Sequence, residues 1–438
     1  MIVDFTFKNF RSFRDETVLS MHAEHPKHNL LNNIAYPADD GIAVLKSAVI
    51  YGANASGKSN ALVALGALKF IVCETHALSE NRRIDCYDPY LLSESTKNAP
   101  TEFEIEFVSP GGKRFIYQIT YTENEIISES LDYIPKKTPA NLFIRKPGDT
   151  WNTIGFGAYY KGGYKKIPLF KNNSYLSKAG NSAAAPKIIR EAYEYFSNMM
   201  VFGLDYKMPI ASIYQHDSML LIASELLQKV DVGISDISKK EKDFNNLPND
   251  MPNRYRERFI RENKYEFLFH HMNESGKDVL FAKTEESEGT QKLFSMFPAI
   301  VTSLSLGNVL VMDELETSFH PHIAEMLIKI YNDPAVNVNN SQLIFSTHNV
   351  ELMSPRLFRR DQIWFARKTG GASKLYSLDE FDKSTVTPTS PFGDWYSDGR
   401  FGAIPNLKYK DICNFLVDAL DLRADQQLRG APKAEEEE

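Results

Sequence analysis

Apolar and polar residues alternate from the first positions of this chain, with Ile2, Phe5, Phe7, Phe10 and Phe13 set against Asp4, Thr6, Lys8 and Arg11. Alternation is the mark of a strand with one wet face, so residues 1–21 are expected to form two strands joined by a tight turn near Asn9 to Ser12. An apolar run, Ser47 to Tyr51, comes next, followed by a glycine-bearing turn and a helical pattern from Asn60 to Leu65. Between Thr101 and Tyr133 alternation returns: Phe103 to Phe107 reads as a strand, Pro110 to Lys113 as a turn and Arg114 to Tyr121 as the returning strand of an antiparallel meander. Residues 186–230 place Ala192, Tyr193, Tyr195 and Phe196, then Leu220, Leu221, Ile222, Leu226 and Leu227, at helical spacing. The polar stretch from Ser235 to Lys264 breaks the pattern and shows no sustained heptads, which excludes a long coiled-coil arm. Tyr265 to Phe269 and Val279 to Ala282 read as strands around a turn at Asn273 to Gly276. Val309 to Met312 and Gln342 to Ser346 are apolar strands separated by a helix-like stretch, Ala324 to Ile330, the pattern of a parallel βαβ unit.

Composition narrows this picture only a little. The chain has 438 residues, 43% hydrophobic and 24% charged, as in an ordinary globular protein, and its length exceeds what one core usually serves. No apolar stretch is expected to span a membrane, and the start, Met1 to Phe5, has no signal-peptide pattern, so a cytosolic protein is expected. Cys73, Cys86 and Cys413 are too few for a disulfide framework and too scattered for a zinc knuckle. A net charge of −7 argues against a surface that clings everywhere to nucleic acid but leaves room for a local basic groove. The run Arg254 to Arg261, after Lys239 to Lys242, carries interspersed acids and reads as a solvated helix face; the acidic end, Ala434 to Glu438, reads as a disordered tail.

The chemistry lies at the strand ends. Gly52-Ala53-Asn54-Ala55-Ser56-Gly57-Lys58-Ser59 fills every fixed position of G-x-x-x-x-G-K-[ST], between an apolar strand and a helix that opens at Asn60. Such a turn aims backbone N–H groups and the positive helix end at one point, where a triphosphate sits; Lys58 then reaches its β/γ-phosphates and the Ser59 hydroxyl ligates Mg²⁺. A second metal ligand and a base are needed, and Val309 to Met312 ends in both: Asp313 for the Mg²⁺ shell and Glu314 to polarise water. After Gln342 to Ser346 come Thr347 and His348, whose imidazole can hydrogen-bond a γ-phosphate or the water. His270-His271 points to opposite strand faces without a third ligand, and no hydrolase nucleophile elbow is present.

Asp313 lies 255 residues beyond Lys58. A large insertion between the halves of one ATP site resembles the ABC-class ATPase heads of RecF and SMC proteins. Phe7 to Phe13 resembles their opening strand motif, which implies that Arg11 and Ser12 lie near the nucleotide. Glu286 to Lys292 resembles their signature motif, Glu314 to Pro321 their catalytic Glu and D-loop, with Ser318 and His320 in the latter, and Thr347-His348-Asn349 their switch histidine. Tyr51 to Asn60, Ser128 to Leu131, Leu176 to Asn181, Asp231 to Ile234 and Gly399 to Pro405 together resemble bacterial AAA-type ATPases of abortive infection and anti-phage defence, relatives of the OLD nucleases and of the PARIS-type ATPase subunit.

The resemblance implies an α/β P-loop NTPase, an ABC-type (RecF/SMC-like) head with an antiparallel β lobe and a short helical insertion. Expected boundaries are 1–185 and 265–406 for the halves of the head, 186–264 for the insertion, and 407–438 for a C-terminal helix and tail. In the signature, the Ser287 hydroxyl and Gly289 N–H, with Thr290, form an anion site at a helix start that closes over the phosphate of a second subunit. One signature and one phosphate loop therefore imply a head-to-tail homodimer or higher homo-oligomer using ATP and Mg²⁺. Only 88 residues follow Val350, so no fused TOPRIM nuclease is expected. That implies a sensor and scaffold for a separately encoded effector, a TOPRIM or other nuclease, with DNA and a phage protein as further candidate partners. A RecF-like DNA-binding clamp in repair or recombination is the alternative. The glutamine of the ABC Q-loop is not placed; Gln118 is a weak candidate.

Overall fold

One buried glutamine joins the two large sheets of this molecule. The computed structural model describes all residues except 28, 204–212, 231–232, 245–246, 249–250, 317–319, 406 and 431–438, and the side chains of 254 and 421–430 are also outside the description. The first sheet comprises β1 (Ile2–Lys8), β2 (Thr17–Ser20), β6 (Thr101–Val108), β7 (Arg114–Tyr121), β8 (Ile126–Ile134), β9 (Ala140–Arg145) and β10 (Gly155–Phe156), ordered β10-β9-β8-β7-β6-β1-β2. Every pairing in it is antiparallel. The alternation in β1, β6 and β7 puts Phe5, Phe7, Phe103, Phe107, Phe115 and Tyr117 on one buried face. Against it packs the apolar stripe of α3 (Lys187–Asn198), where Tyr195 stacks on Phe107 at 4.2 Å between ring centroids.

The second sheet contains β5 (Ser47–Tyr51), β11 (Met200–Phe202), β15 (Val309–Met312), β16 (Gln342–Ser346), β17 (Ile363–Thr369) and β18 (Ala372–Ser377), in the order β11-β15-β16-β5-β17-β18. Its first five strands run parallel. Strands buried on both faces lose alternation, and β5, β15 and β16 are buried at every residue. The helix α7 (Pro321–Asn332) connects β15 to β16, so the expected βαβ unit is present. Gln342, fully buried at the start of β16, donates to the carbonyls of Ile2 (2.9 Å) and Leu45 (2.8 Å) and accepts from the Ile2 N–H.

The helix α1 (Lys58–Glu74) fills the space behind β5. With its continuation to Ala77 it is long and apolar enough to cross a membrane, contrary to expectation, yet Ala61, Leu62, Leu65, Leu68 and Ile71 lie in the core. A short pair, β3 (Ile34–Ala35) and β4 (Val44–Leu45), lies outside both large sheets.

The stretch 186–264 departs from a purely helical insertion. It holds α3, α4 (Asp217–Lys229) and α5 (Asn253–Asn263), but also β11 and β12 (Ile234–Glu241). In β12 only Ile234 and Ile237 are buried, so the period of two is lost from the sequence. Its strand conformation comes from pairing with β13 (Tyr265–Met272), itself paired with β14 (Asp278–Ala282). Among the described residues the other α-helices are α2 (Tyr175–Gly180), α6 (Glu288–Leu306), α8 (Phe392–Ser397) and α9 (Tyr409–Gly430). Two compact units result, Met1–Ala403 and a second from Ile404 onward that contains α9. Asp231, Val232 and the acidic tail lie outside the described residues.

Gln342→Leu would strand three buried backbone groups where the sheets meet. It is expected to lower unfolding stability by about 2–4 kcal/mol, read as a reduced urea midpoint at unchanged slope.

Candidate functional site: a phosphate loop at the parallel strand ends

The loop between β5 and α1 is shaped by two glycines and a buried lysine. Gly57 has φ 116°, and a Cβ there would lie 2.6 Å from Ser373 Oγ; at Gly52, φ 153°, it would lie 2.4 Å from the Ala366 carbonyl oxygen. Asn54 and Ala55 form the exposed crown of the turn, while Ser56 is buried with no hydrogen-bond partner for its hydroxyl among the described residues. Lys58 turns back into the loop and donates to the carbonyls of Gly52 (3.0 Å) and Ala53 (3.2 Å). Burial pushes its ammonium below the ordinary lysine value, and the charges of Asp313, Glu314 and Glu316 act in the opposite direction.

Those three carboxylates hang from the end of β15. Ser346, the last residue of β16, donates its hydroxyl to Asp313 Oδ1 and accepts from the Glu314 N–H at 2.9 Å. Glu314 takes φ 47°, uncommon for a residue with a side chain. Its carbonyl accepts from Lys292 Nζ at 2.8 Å, and its carboxylate lies 4.0 Å from His348 Nε2. Glu316 accepts from the His348 N–H at 2.6 Å through one oxygen; its other oxygen and the neighbouring Tyr51 hydroxyl are buried without hydrogen-bond partners among the described residues. Burial lowers the His348 pKa, the positive charge of Lys58 lowers it further, and the three carboxylates oppose both.

Arg11 and Ser12 sit at the first turn of α1. Asn60 Nδ2 donates to Ser12 Oγ at 2.8 Å, and Arg11 reaches Asn60 Oδ1 at 3.4 Å while its Nε is held by Asp88 at 2.9 Å. Ser373 completes the contact from β18: its hydroxyl lies 2.8 Å from Ser12 Oγ and 2.6 Å from the Ser56 carbonyl oxygen, and its N–H donates to the Ser12 carbonyl. Ala403, in the Gly399–Pro405 motif, accepts from the Ala53 N–H at 2.8 Å.

The signature residues occupy the start of α6. Ser287 is the exposed N-cap, accepting from the Thr290 N–H at 3.1 Å; Gly289 is half-buried and Thr290 buried. Lys292, one turn further on, is the residue of this helix that touches the Glu314 backbone. His320 caps α7 through a bond from the His322 N–H, and His322 is exposed; Ser318 lies outside the described residues. Gln118 is bound by Glu104 and Ser130 within the antiparallel sheet. His270 contacts Asp278 and Ser238, and His271 contacts Glu286; among the described residues no three metal-ligating side chains cluster. On the exposed helix α5, Arg258 pairs with Glu262.

The groups present fit a Mg²⁺–triphosphate. The ammonium bound by two loop carbonyls, the Ser56 hydroxyl without a partner among the described residues, and the clustered carboxylates of Asp313, Glu314 and Glu316 form opposite sides of one anion-and-cation site. Ser59 and Asp313 would hold Mg²⁺, with the phosphates supplying the remaining oxygens, as is usual for this ion. Sequence reasoning gave no role to Ser346, Glu316, Lys292 or Ser373. Ser346 left a trace, a polar residue closing an apolar strand; Ser373 left none.

The family model described as "AAA domain, putative AbiEii toxin, Type IV TA system" matches residues 47–354. No curated protein matches. Among solved structures, the Smc head bound to the C-winged helix domain of ScpA is 13% identical with a TM-score of 0.39, over 86% of this chain and 97% of that one. The SMC head domain from Thermotoga maritima is 12% identical with a TM-score of 0.39, over 86% and 98%. RecF with ATPrS, the recombination mediator of the RecFOR pathway, is 11% identical with a TM-score of 0.34, over 86% and 98%. Overlap this loose leaves the fold class to be read from the strand order and the family match.

A lowered pKa means that His348 is neutral at pH 7 and takes up a proton only below the ordinary value of 6.5. Phosphate release by the wild-type chain is therefore expected to fall on the acid side with a midpoint below that value. His348→Gln is expected to be slower at every pH and to lack this limb, as read from rate profiles at saturating ATP.

Proposed function

The chain belongs to this AAA-domain family, with a P-loop at the end of a mostly parallel sheet flanked by helices, and on that premise we propose that it is an ABC-type ATPase head that binds and hydrolyses ATP within a head-to-tail homodimer. One observation carries the reading: Lys58, Asp313, Glu314 and His348 converge on a single strand-end site. Lys58 exchanges the Gly52 and Ala53 carbonyls for β/γ-phosphate oxygens, and the loop N–H groups and the start of α1 bind the rest of the phosphate chain. Glu314 orients the attacking water and accepts its proton, while neutral His348 donates a hydrogen bond to the γ-phosphate side of the site. Mg²⁺, when bound at Ser59 and Asp313, supplies charge neutralisation across the β- and γ-phosphates.

The second subunit contributes Ser287, Gly289 and Thr290, whose helix start closes over the γ-phosphate, with His320 at the same interface. ATP closes the dimer, hydrolysis reopens it, and the change holds or releases a separately encoded effector in the cytoplasm, a nuclease in bacterial anti-phage defence. The family description, which names a toxin and a type IV toxin–antitoxin system, supports that setting.

Glu314→Gln is expected to reduce turnover at least 100-fold and to accumulate an ATP-bound dimer on size-exclusion chromatography with light scattering. Unchanged turnover would remove Glu314 as the base. Copurification with the product of the adjacent gene, with and without ATP, tests the effector; no complex in either condition overturns that part of the reading.

A further inference from the structure

The charge of this chain is segregated. Residues 133–190 hold eleven Lys and Arg against one acidic residue, Asp149, in a chain whose net charge is −7. The part up to Lys171 builds the outer edge of the antiparallel sheet, with Arg145 buried in it, while Lys178, Lys187 and Arg190 lie on α2 and α3 behind it. The strands β8 and β9 meet in a hairpin whose tip carries Lys136 and Lys137, both exposed. From β10 the segment 157–171 then runs along that edge. It starts at the tip, where Tyr159 packs on Tyr133 at 5.7 Å between centroids, and ends beside the opposite end of β8, where the Lys171 carbonyl accepts from the Ile126 N–H at 2.9 Å and from Arg145 at 3.1 Å.

This segment is fixed rather than loosely draped. The Tyr160 hydroxyl donates to the Tyr164 carbonyl, the Tyr175 hydroxyl to the Lys165 carbonyl, and the Tyr164 N–H to the Ala184 carbonyl. So anchored, it leaves Tyr159 42%, Tyr164 72% and Phe170 43% exposed, each within two residues of an exposed lysine: Lys161, Lys165 and Lys171. None of Lys136, Lys137, Lys161, Lys165, Lys166 and Lys171 forms an ion pair among the described residues, whereas Lys8, Lys113 and Arg114 on the same sheet all do.

Lysines on a sheet edge also guard against edge-to-edge pairing. That role needs a few charges; it does not call for exposed aromatics interleaved with them or for the exclusion of acids over so long a stretch. We propose that the β8–β10 edge and segment 157–171 form a binding surface for single-stranded nucleic acid, with the lysines along its phosphates and Tyr159, Tyr164 and Phe170 as platforms for bases. Paired cations and aromatics are the chemistry of sequence-tolerant strand binding, since every base has a face to stack. The edge spans roughly 30 Å at the ordinary rise of nine strand residues, enough for several nucleotides. This surface is separate from the strand-end ATP site and from α5.

The test is fluorescence anisotropy of the full chain with labelled 20-nucleotide single-stranded DNA, single-stranded RNA and duplex DNA, each at about 50 and 200 mM salt. Single strands are expected to bind more tightly than duplex and to weaken steeply with salt, the DNA and RNA arms showing which sugar is preferred. The triple change Lys161→Glu, Lys165→Glu and Lys166→Glu should weaken binding at least tenfold and flatten the salt dependence. Tyr164→Ala should weaken single-strand binding about fivefold and leave duplex binding unchanged. Arg256→Glu with Arg261→Glu on α5 should change nothing, and basal ATP turnover should be that of the wild type in every variant. Absence of binding, binding that survives the triple change, or equal affinity for duplex with indifference to Tyr164→Ala would each overturn the proposal.

Discussion

A lysine ammonium taken out of water has to be compensated where it sits, and Lys58 is 5% exposed. Burial of an unpaired ion costs several kcal/mol, so the surroundings of Lys58 constrain everything at this end of the sheet. Two carbonyls of its own loop bind it, which requires the chain to double back between β5 and α1 through glycine conformations. The compensating acids come from β15. That strand is two places from β5, with β16 between them, roughly 10 Å at the usual strand spacing. Acids adjacent to Lys58 would close an ion pair and fill the site; acids one strand further away lower the cost of the charge and leave a gap that a triphosphate and its metal can occupy.

How much of this could be read beforehand depended on whether the signal was local. The phosphate loop, the carboxylates after β15 and the histidine after β16 are each contiguous with an apolar run, so each was legible as a strand ending in chemistry. Ser373 was not. It reaches Ser12 and Ser56 only because β18 folds back beside the loop, more than three hundred residues from either in the sequence. Lys292 lay inside a recognised motif, but its bond to the Glu314 carbonyl depends on how α6 meets β15. The same limit explains β12: with Ile234 and Ile237 its only buried residues, its conformation is imposed by β13 rather than encoded by periodicity. Conversely, α1 looks like a membrane span by length and composition because a core helix surrounded by sheet and helix is apolar nearly all round.

Net charge hid a comparable asymmetry. An overall −7 is a sum over a strongly basic lobe edge and an acidic remainder, and only the distribution bears on partners. Clustered arginines on α5 drew attention in the sequence, yet they alternate with acids and one of them is paired within the helix. The lysines of 133–190 are more widely spaced, and the pairing of β8, β9 and β10 is what gathers them.

The backbone of Glu314 joins these parts. A non-glycine residue in the left-handed region costs about 1 kcal/mol or more and persists only where its neighbours over-determine it. Here the N–H is held by Ser346 of β16 and the carbonyl by Lys292 of α6, so two elements from different parts of the chain fix one residue's two peptide groups. The Ser346 hydroxyl that accepts from this N–H also donates to Asp313, so the placement of the Asp313 and Glu314 side chains is not independent. The helix that begins after Ser287 is thus tied, within one chain, to the carboxylate end of β15. Lys292 lies five residues beyond Ser287 on that helix, so a displacement of the start of α6 reaches the Glu314 carbonyl through a single side chain, with no loop between them to absorb it.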